Sequence, residues 1–426
     1  MSTGYAVHGE AIEALALGSG PEAGNVVGSL DHVPGSVLRG TLAAAWMREH
    51  GDPRADPGFA DLFERSIGFG PLRPRGATVA PLAALRCKYQ PRERCAAIGH
   101  DLLDHLGGGG PPGECDECHG PLEPAKGEQF MPLGSAPIIV DRTRTRLDAD
   151  ERAAPGELFT RQALAPGTVL AGVIAGSNPW LDGFGTKTVW FGGRRTVGGR
   201  CRLKLSVVDS PSPTLRRDGR VVIRCTSPAV LVDGAGAPVL TPDEEAMSDV
   251  LGTPVSLERA WRRPTTIGGW SAVAGLPKAT DIAVVAGSVF VMRVARGAVT
   301  AEGVNDLARR GLGLRRPEGL GCIEVNPPSW SPPPPVTGRV VSARGAPPAV
   351  VELRRLLAQG ADRRWVAGRL KAAAAAREVG SRPEDALALR RTRPWPPDAR
   401  AALERALDCT DPLELRTMAN ALEVEG

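Results

Sequence analysis

Cysteine and histidine spacing carries the sharpest chemistry in this chain. Cys115-Asp116-Glu117-Cys118 is a two-residue knuckle, and Cys87, Cys95, His100, His105 and His119 lie nearby in sequence. A Cys-x-x-Cys turn supplies two thiolates from one loop, and zinc completes its tetrahedron with two further soft or borderline ligands. The surrounding segment is poor in core-forming residues, so a metal would stabilise it where packing cannot. No His-Glu-x-x-His helix or deaminase pattern accompanies the knuckle, so a structural zinc is expected rather than a catalytic one. A second chemistry lies in two glycine-and-arginine loops, each running into a strand. The first holds Gly192, Gly193, Arg194, Arg195, Gly198, Gly199 and Arg200 ahead of Cys201 to Leu205. The second holds Gly311, Gly313, Arg315, Arg316, Gly319 and Gly321 ahead of Cys322 to Val325. Glycines let a backbone approach a ligand closely, and arginine forks suit phosphate. The repetition reads as a duplicated element built to meet a sugar–phosphate backbone. Neither loop ends in Gly-Lys-Ser/Thr or sits in a Rossmann βαβ unit, so neither is a nucleotide-binding loop.

The elements that must position these groups are partly legible. Leu38, Leu42 and Trp46 recur every four residues, which predicts an amphipathic helix through His50, with Ser36 as its N-cap after the Pro34-Gly35 turn. A helix N-terminus presents unpaired N–H groups at Gly35 and Ser36, with Arg39 one turn in, and such a terminus binds anions readily. Trp270 and Lys278 flank a glycine-rich segment where a base could stack and a phosphate be met. Asp31 and His32, just ahead of the helix turn, are the neighbouring acid and imidazole that general acid–base chemistry on a 2′-hydroxyl would need. Strand-like runs occupy 7–17, 159–174, 190–208, 221–232 and 282–294, and residues 51–150 read as irregular around the Cys/His cluster. The proline-rich stretch from Asn326 to Pro335 reads as a stiff linker. Beyond it, helical spacing runs through 349–359, 361–378, 384–391, 397–407 and 412–422, with Arg354, Arg355, Arg363 and Arg364 on helical faces.

Bulk composition bounds these readings. A chain of 426 residues is too long for one ordinary core. A hydrophobic content of 42% supports globular packing. A net charge of +4 means that any nucleic-acid binding depends on local patches and not on a global field. The opening residues carry no signal-peptide pattern, and no run is apolar enough to span a bilayer. A cytoplasmic protein with no membrane partner is expected.

Taken in order, these motifs resemble the RAMP superfamily of CRISPR effector proteins. Val33 to Gly40 (VPGSVLRG) is similar to that superfamily's helix start, and the two loops resemble its glycine-rich loop. Gly268-Gly269-Trp270, Gly275 to Lys278 and Ala286 to Phe290 resemble the type III-D subunit that holds the 5′ handle of the guide RNA. The resemblance covers roughly residues 5 to 326. It implies an α+β chain: a first RRM-related, ferredoxin-like domain over 1–210 and a second over 211–326. It also implies a zinc-binding insertion over about 80–135 that uses Cys87, His100, Cys115 and Cys118. A linker over 327–345 and a helical region over 346–426 would follow. The implied role is non-catalytic: binding crRNA, docking the large polymerase-like subunit and backbone RAMP subunits, and meeting target RNA indirectly, in antiviral defence. The alternatives are a metal-independent endoribonuclease maturing crRNA with His32 as general base, and a zinc scaffold that binds only protein.

Overall fold

The computed structural model describes residues 2–18, 26–65, 67–88, 98–107, 113–115, 119–125, 129–130, 139–147, 153–192, 198–210, 212–271 and 275–330, and selected residues between 352 and 422. The first unit runs β1 (Ser2–Ala11), α1 (Gly35–His50), β2 (Gly68–Phe69), β3 (Val169–Ala175) and β4 (Arg200–Ser210). The second runs β5 (Arg220–Cys225), α2 (Glu244–Leu251), β6 (Val255–Trp261), β7 (Val289–Val294), α3 (Ala301–Arg310) and β8 (Ile323–Val325).

Both sheets have one strand order. In the first it is β4-β1-β3-β2, extended at the β4 edge by Thr186–Trp190. In the second it is β8-β5-β7-β6. Every neighbouring pair along both orders is antiparallel. The first unit keeps a full helix only after β1; between β3 and β4 the second helix shrinks to Pro179–Asp182.

Burial explains why these strands pair as they do. Along β1, Tyr5 and Val7 point into a core with Leu38, Leu42, Trp46, Phe63, Phe69, Leu170 and Leu203, whereas His8 and Glu10 face solvent. That alternation is the signature of a sheet covered on one face. Strand β5 differs: Val221 to Cys225 are all buried. Val221, Ile223 and Cys225 pack with Phe290 and Met292 beneath α2 and α3, through Met247, Leu251, Val304 and Leu307. On the other face, Val222, Val289 and Val291 pack against Ala83, Leu103 and Leu106. The second sheet is therefore covered on both sides, and the outer cover comes from the insertion between β2 and β3.

That insertion contains a three-stranded sheet of Ile98–Asp101, Ala84–Cys87 and Leu122–Pro124. A buried charge pair fastens it to the second unit: Arg224 Nη2 lies 3.4 Å from Asp101 Oδ2 and donates to the Pro328 carbonyl at 3.1 Å. Asp101 also accepts from the backbone amides of Trp330 at 2.7 Å and Leu103 at 3.1 Å. The first residues of the expected linker, through Trp330, are thus held against the insertion, and residues 331–345 lie outside the described residues. Asn326 is buried, its side chain accepting from Val222 N and donating to Thr214 O. Pro327 is buried as well, whereas Pro328 is exposed.

The C-terminal region has a core of its own, in which Leu353, Leu357, Val366 and Leu370 meet Leu403, Ala406 and Leu415. Pro397–Leu407 forms a helix, as its spacing predicts. The segment 384–391 lies outside the described residues. Among the described residues, no helix is long and apolar enough to cross a membrane.

Removing one member of a buried ion pair strands the other. Arg224→Ala is expected to cost about 3–5 kcal/mol in urea unfolding. The double variant Arg224→Met/Asp101→Asn is expected to cost clearly less, because no unpaired charge is left behind.

Candidate nucleic-acid interface

The second glycine loop lands on the start of α1. Gly35 is buried there, and a Cβ on it would fall 1.9 Å from the Phe69 carbonyl oxygen and 2.8 Å from the Gly319 Cα. Gly319 has φ +79°, and its own Cβ would meet the Phe69 oxygen at 2.0 Å. Three backbone segments from two units thus touch with no room for a side chain. Gly311, Gly313 and Gly321 also lie tight against carbonyl oxygens of the second unit. Close packing alone accounts for glycine at these positions.

The helix start differs from its expected form. Pro34, not Ser36, is the N-cap, and no side chain caps the helix. Ser36 is the second helical residue and is exposed, while Val37 and Leu38 donate to the Pro34 carbonyl at 3.0 and 3.1 Å. Arg39 does not project freely: its Nε donates to the Phe63 carbonyl.

The arginines of this loop are turned inward. Arg315, in a left-handed conformation at φ 57°, donates to Asp281 and Glu318, each at 2.8 Å, and to the carbonyls of Ile267 and Gly268. Arg316 donates to the carbonyls of Arg310 and Leu320. Lys278 Nζ lies 2.7 Å from Glu318. Arg315 therefore pins the loop to the base of a hairpin formed by Pro264–Ile267 and Asp281–Val284. That hairpin continues through Trp270–Ser271 paired with Leu276–Pro277. Trp270 is 62% exposed, and Leu276, Ile282 and Leu314 are exposed as well. The hub is charge-balanced, with an apolar, aromatic rim suited to stacking more than to gathering phosphate. The exposed Trp270 was legible in the sequence, but its apolar neighbours Ile282 and Leu314 and the acid Asp281 were not, since only the fold brings them together.

In the first loop, Gly193, Arg194 and Arg195 lie outside the described residues. Phe191 N donates to Gly199 O and Gly199 N to Ala14 O, closing the loop ends onto the segment after β1. Gly192 packs on the Ala16 carbonyl and Gly198 on that of Ala14. Arg200 Nε pairs with Glu13 at 3.2 Å.

Near the same junction, His32 Nδ1 sits 2.8 Å from Asp31 Oδ1, with both side chains partly exposed. The hydrogen bond from His32 holds the Asp31 carboxyl below its usual range, and Arg73 adds to the effect. Arg73 is a residue that the motifs did not reveal. Its Nη2 donates to the Thr226 carbonyl of the second unit at 2.6 Å.

Of the Cys/His cluster, Cys115 is buried, and its amide donates to Gly120 O at 2.8 Å while His119 N donates to Cys115 O. Cys87 pairs in register with Leu122, and Glu114 bridges Pro121, so the strand carrying Cys87 runs beside the hairpin carrying Cys115. His100 is opposite Leu85 on the neighbouring strand. Cys118 and Cys95 lie outside the described residues. No metal-binding group of three or more side chains is present among the described residues.

No protein-family model and no curated protein matches the chain. Among solved structures it is similar to a chain of the type III-B Cmr-beta complex bound to cognate target RNA and AMPPnP. The identity is 17%, covering 67% of this chain and 86% of that one, with a TM-score of 0.37. It is also similar to Thermus thermophilus Cas6, at 11% identity over 76% of this chain and 98% of that one, with a TM-score of 0.30.

The hub titrates in a predictable direction. Burial alone would raise the Glu318 carboxyl, but hydrogen bonds from Arg315 and Lys278 outweigh it and hold the group below its ordinary value of 4.5. A carboxylate depressed in the folded state adds stability above its unfolded pKa, and that stability is lost as pH falls through the folded value. Thermal stability is thus expected to fall as pH drops below about 4.5. In Glu318→Gln that part of the acid dependence should vanish, which melting curves across the acid range would show.

Proposed function

We propose that this protein is a non-catalytic, RNA-binding and assembly subunit of a type III-D CRISPR effector complex, holding the 5′ handle of the crRNA. One observation carries the reading: two units of identical strand order, joined where the second unit's glycine loop meets the N-terminus of α1. That order, with the first strand between the third and fourth, is the ferredoxin-like arrangement of RRM-related folds. Coming after the ordered motifs between Val33 and Val325, it supports two RAMP domains in one chain. The exposed Trp270 beside the Arg315–Glu318–Lys278 hub supplies a surface for a splayed base, the usual mode of single-stranded RNA recognition. Neighbouring effector subunits, including a large polymerase-like one, are the proposed protein partners.

Cys87, His100, Cys115 and Cys118 are proposed to hold a structural zinc, which would tie the strand, its neighbour and the knuckle together. The adjoining backbone of Cys87 and Cys115, and the burial of the Cys115 thiol, fit that set. A metal there would brace the insertion that covers the second sheet. Purified protein is expected to contain stoichiometric zinc by mass spectrometry, and Cys115→Ser/Cys118→Ser to lose it along with thermal stability. A folded, metal-free wild type would refute the site.

The second reading, an endoribonuclease, draws on the Asp31–His32 pair, whose carboxylate orients the ring as a general base requires. The deciding experiment is isolation of the tagged protein from its host, with sequencing of bound RNA. Guide RNAs sharing one 5′ end, together with co-purifying effector subunits, are expected. Cleavage of repeat RNA that disappears in His32→Ala would favour the enzyme instead. Trp270→Ala is expected to weaken binding of the isolated guide RNA about tenfold, since a stacked base contributes about 1–3 kcal/mol.

A further inference from the structure

The inward-turned arginines of the second loop leave the phosphate side of RNA recognition to other residues. A long antiparallel ribbon, formed by Ile139–Leu147 and Ala153–Leu164 between the insertion and β3, carries cations of a different kind. Its register sets Arg142 directly opposite Arg161, and Arg144 opposite Phe159. Alternate residues of a strand share a face, so these four positions belong to one side of the ribbon. The other side is polar and self-satisfied at this register: Thr143 and Thr160 hydroxyls meet at 2.9 Å, and Asp141 stands opposite Gln162.

Like charges directly opposed across a strand pair destabilise it. Where Arg220 stands opposite Arg293 in the second sheet, Glu258 lies between them and pairs with both. Arg142 makes no ion pair among the described residues. The Arg161 guanidinium lies over the Phe159 ring, 5.9 Å from its centroid, and its Nε is buried without a hydrogen-bond partner. Neither arginine has a carboxylate partner among the described residues, so the charge of the pair is left uncompensated. A guanidinium plane beside an aromatic ring is also a surface on which nucleic-acid bases stack. We propose that this face of the ribbon binds single-stranded RNA, with backbone phosphate bridging Arg142 and Arg161. The inference rests on the RNA-binding reading above and adds residues that the glycine loops do not include.

The test uses the full chain and a fluorescein-labelled oligouridylate, with anisotropy read over a series of salt concentrations. Arg142→Thr/Arg161→Thr is expected to bind about tenfold or more weakly. Its log K against log salt slope should be shallower by about 0.7, for the one single-strand phosphate that the two arginines share. Arg142→Glu provides a check independent of folding, because it should pair with Arg161, keep or raise the melting temperature, and still lose RNA. The double lysine variant should retain the wild-type slope. If wild type binds while Arg142→Glu binds equally with an unchanged slope, the ribbon proposal fails and the general RNA reading survives. If wild type binds no RNA at all, both fail. Unchanged RNA affinity together with loss of a co-purifying subunit would mark the face as a protein contact and overturn the proposal.

Discussion

The meeting of Gly35, Gly319 and the Phe69 carbonyl is the constraint on which the rest of the molecule depends. It forces the start of α1 and the second glycine loop into backbone contact, and so fixes how the two sheets face one another. Arg315 then has little choice of partners: the loop that makes the contact also delivers its guanidinium to Asp281 and Glu318 at the hairpin base. Arg73 reinforces the same seam from the first unit through the Thr226 carbonyl. A glycine loop that looks made for a ligand is, at this position, made for a domain junction. Through Arg315 it also orients the hairpin that presents Trp270.

The two units share a strand order and differ in what covers them. The first sheet keeps an open face with His8, Glu10, Val173, Arg202 and Lys204 exposed along it. The second is closed by the insertion, through an apolar layer and the Asp101–Arg224 pair. Buried ion pairs contribute little net stability compared with an apolar replacement, but they penalise misplacement heavily. Here the pair fixes the insertion against β5. Any metal bound in the insertion would therefore brace a packed layer of the fold and not a loose appendage.

Much of this architecture was legible where periodicity was strong. Leu38, Leu42 and Trp46 gave α1, and the β-branched run through Val291 gave β7. The helices α2 and α3 were not read from the sequence, although Thr300 caps α3 and Gly311 ends it. Val304 and Leu307 are its only large buried side chains, too short a stripe to stand out beside polar neighbours. Residues 51–150 looked irregular although Ile139–Leu147 is a long strand; the other strands there are short and draw their partners from farther along the chain. Cys87 pairs with Leu122, and Leu103 packs against a strand more than a hundred residues away. The arginines of the second loop were visible as residues, but their acidic partners were not, because Asp281 lies in a different strand. The opposed arginines of the ribbon were hidden for the same reason: register is not written in local sequence.

Of the two main sheets, only the first leaves a face open among the described residues, which gives the pair a polarity. A face that meets its own copy closes after two subunits, whereas a face that meets a different one can be extended repeatedly. In this chain the second unit's face is already occupied by its own insertion, held there by Asp101 and Arg224. A partner that docked by sheet stacking would therefore find an open face only on the first of the two sheets.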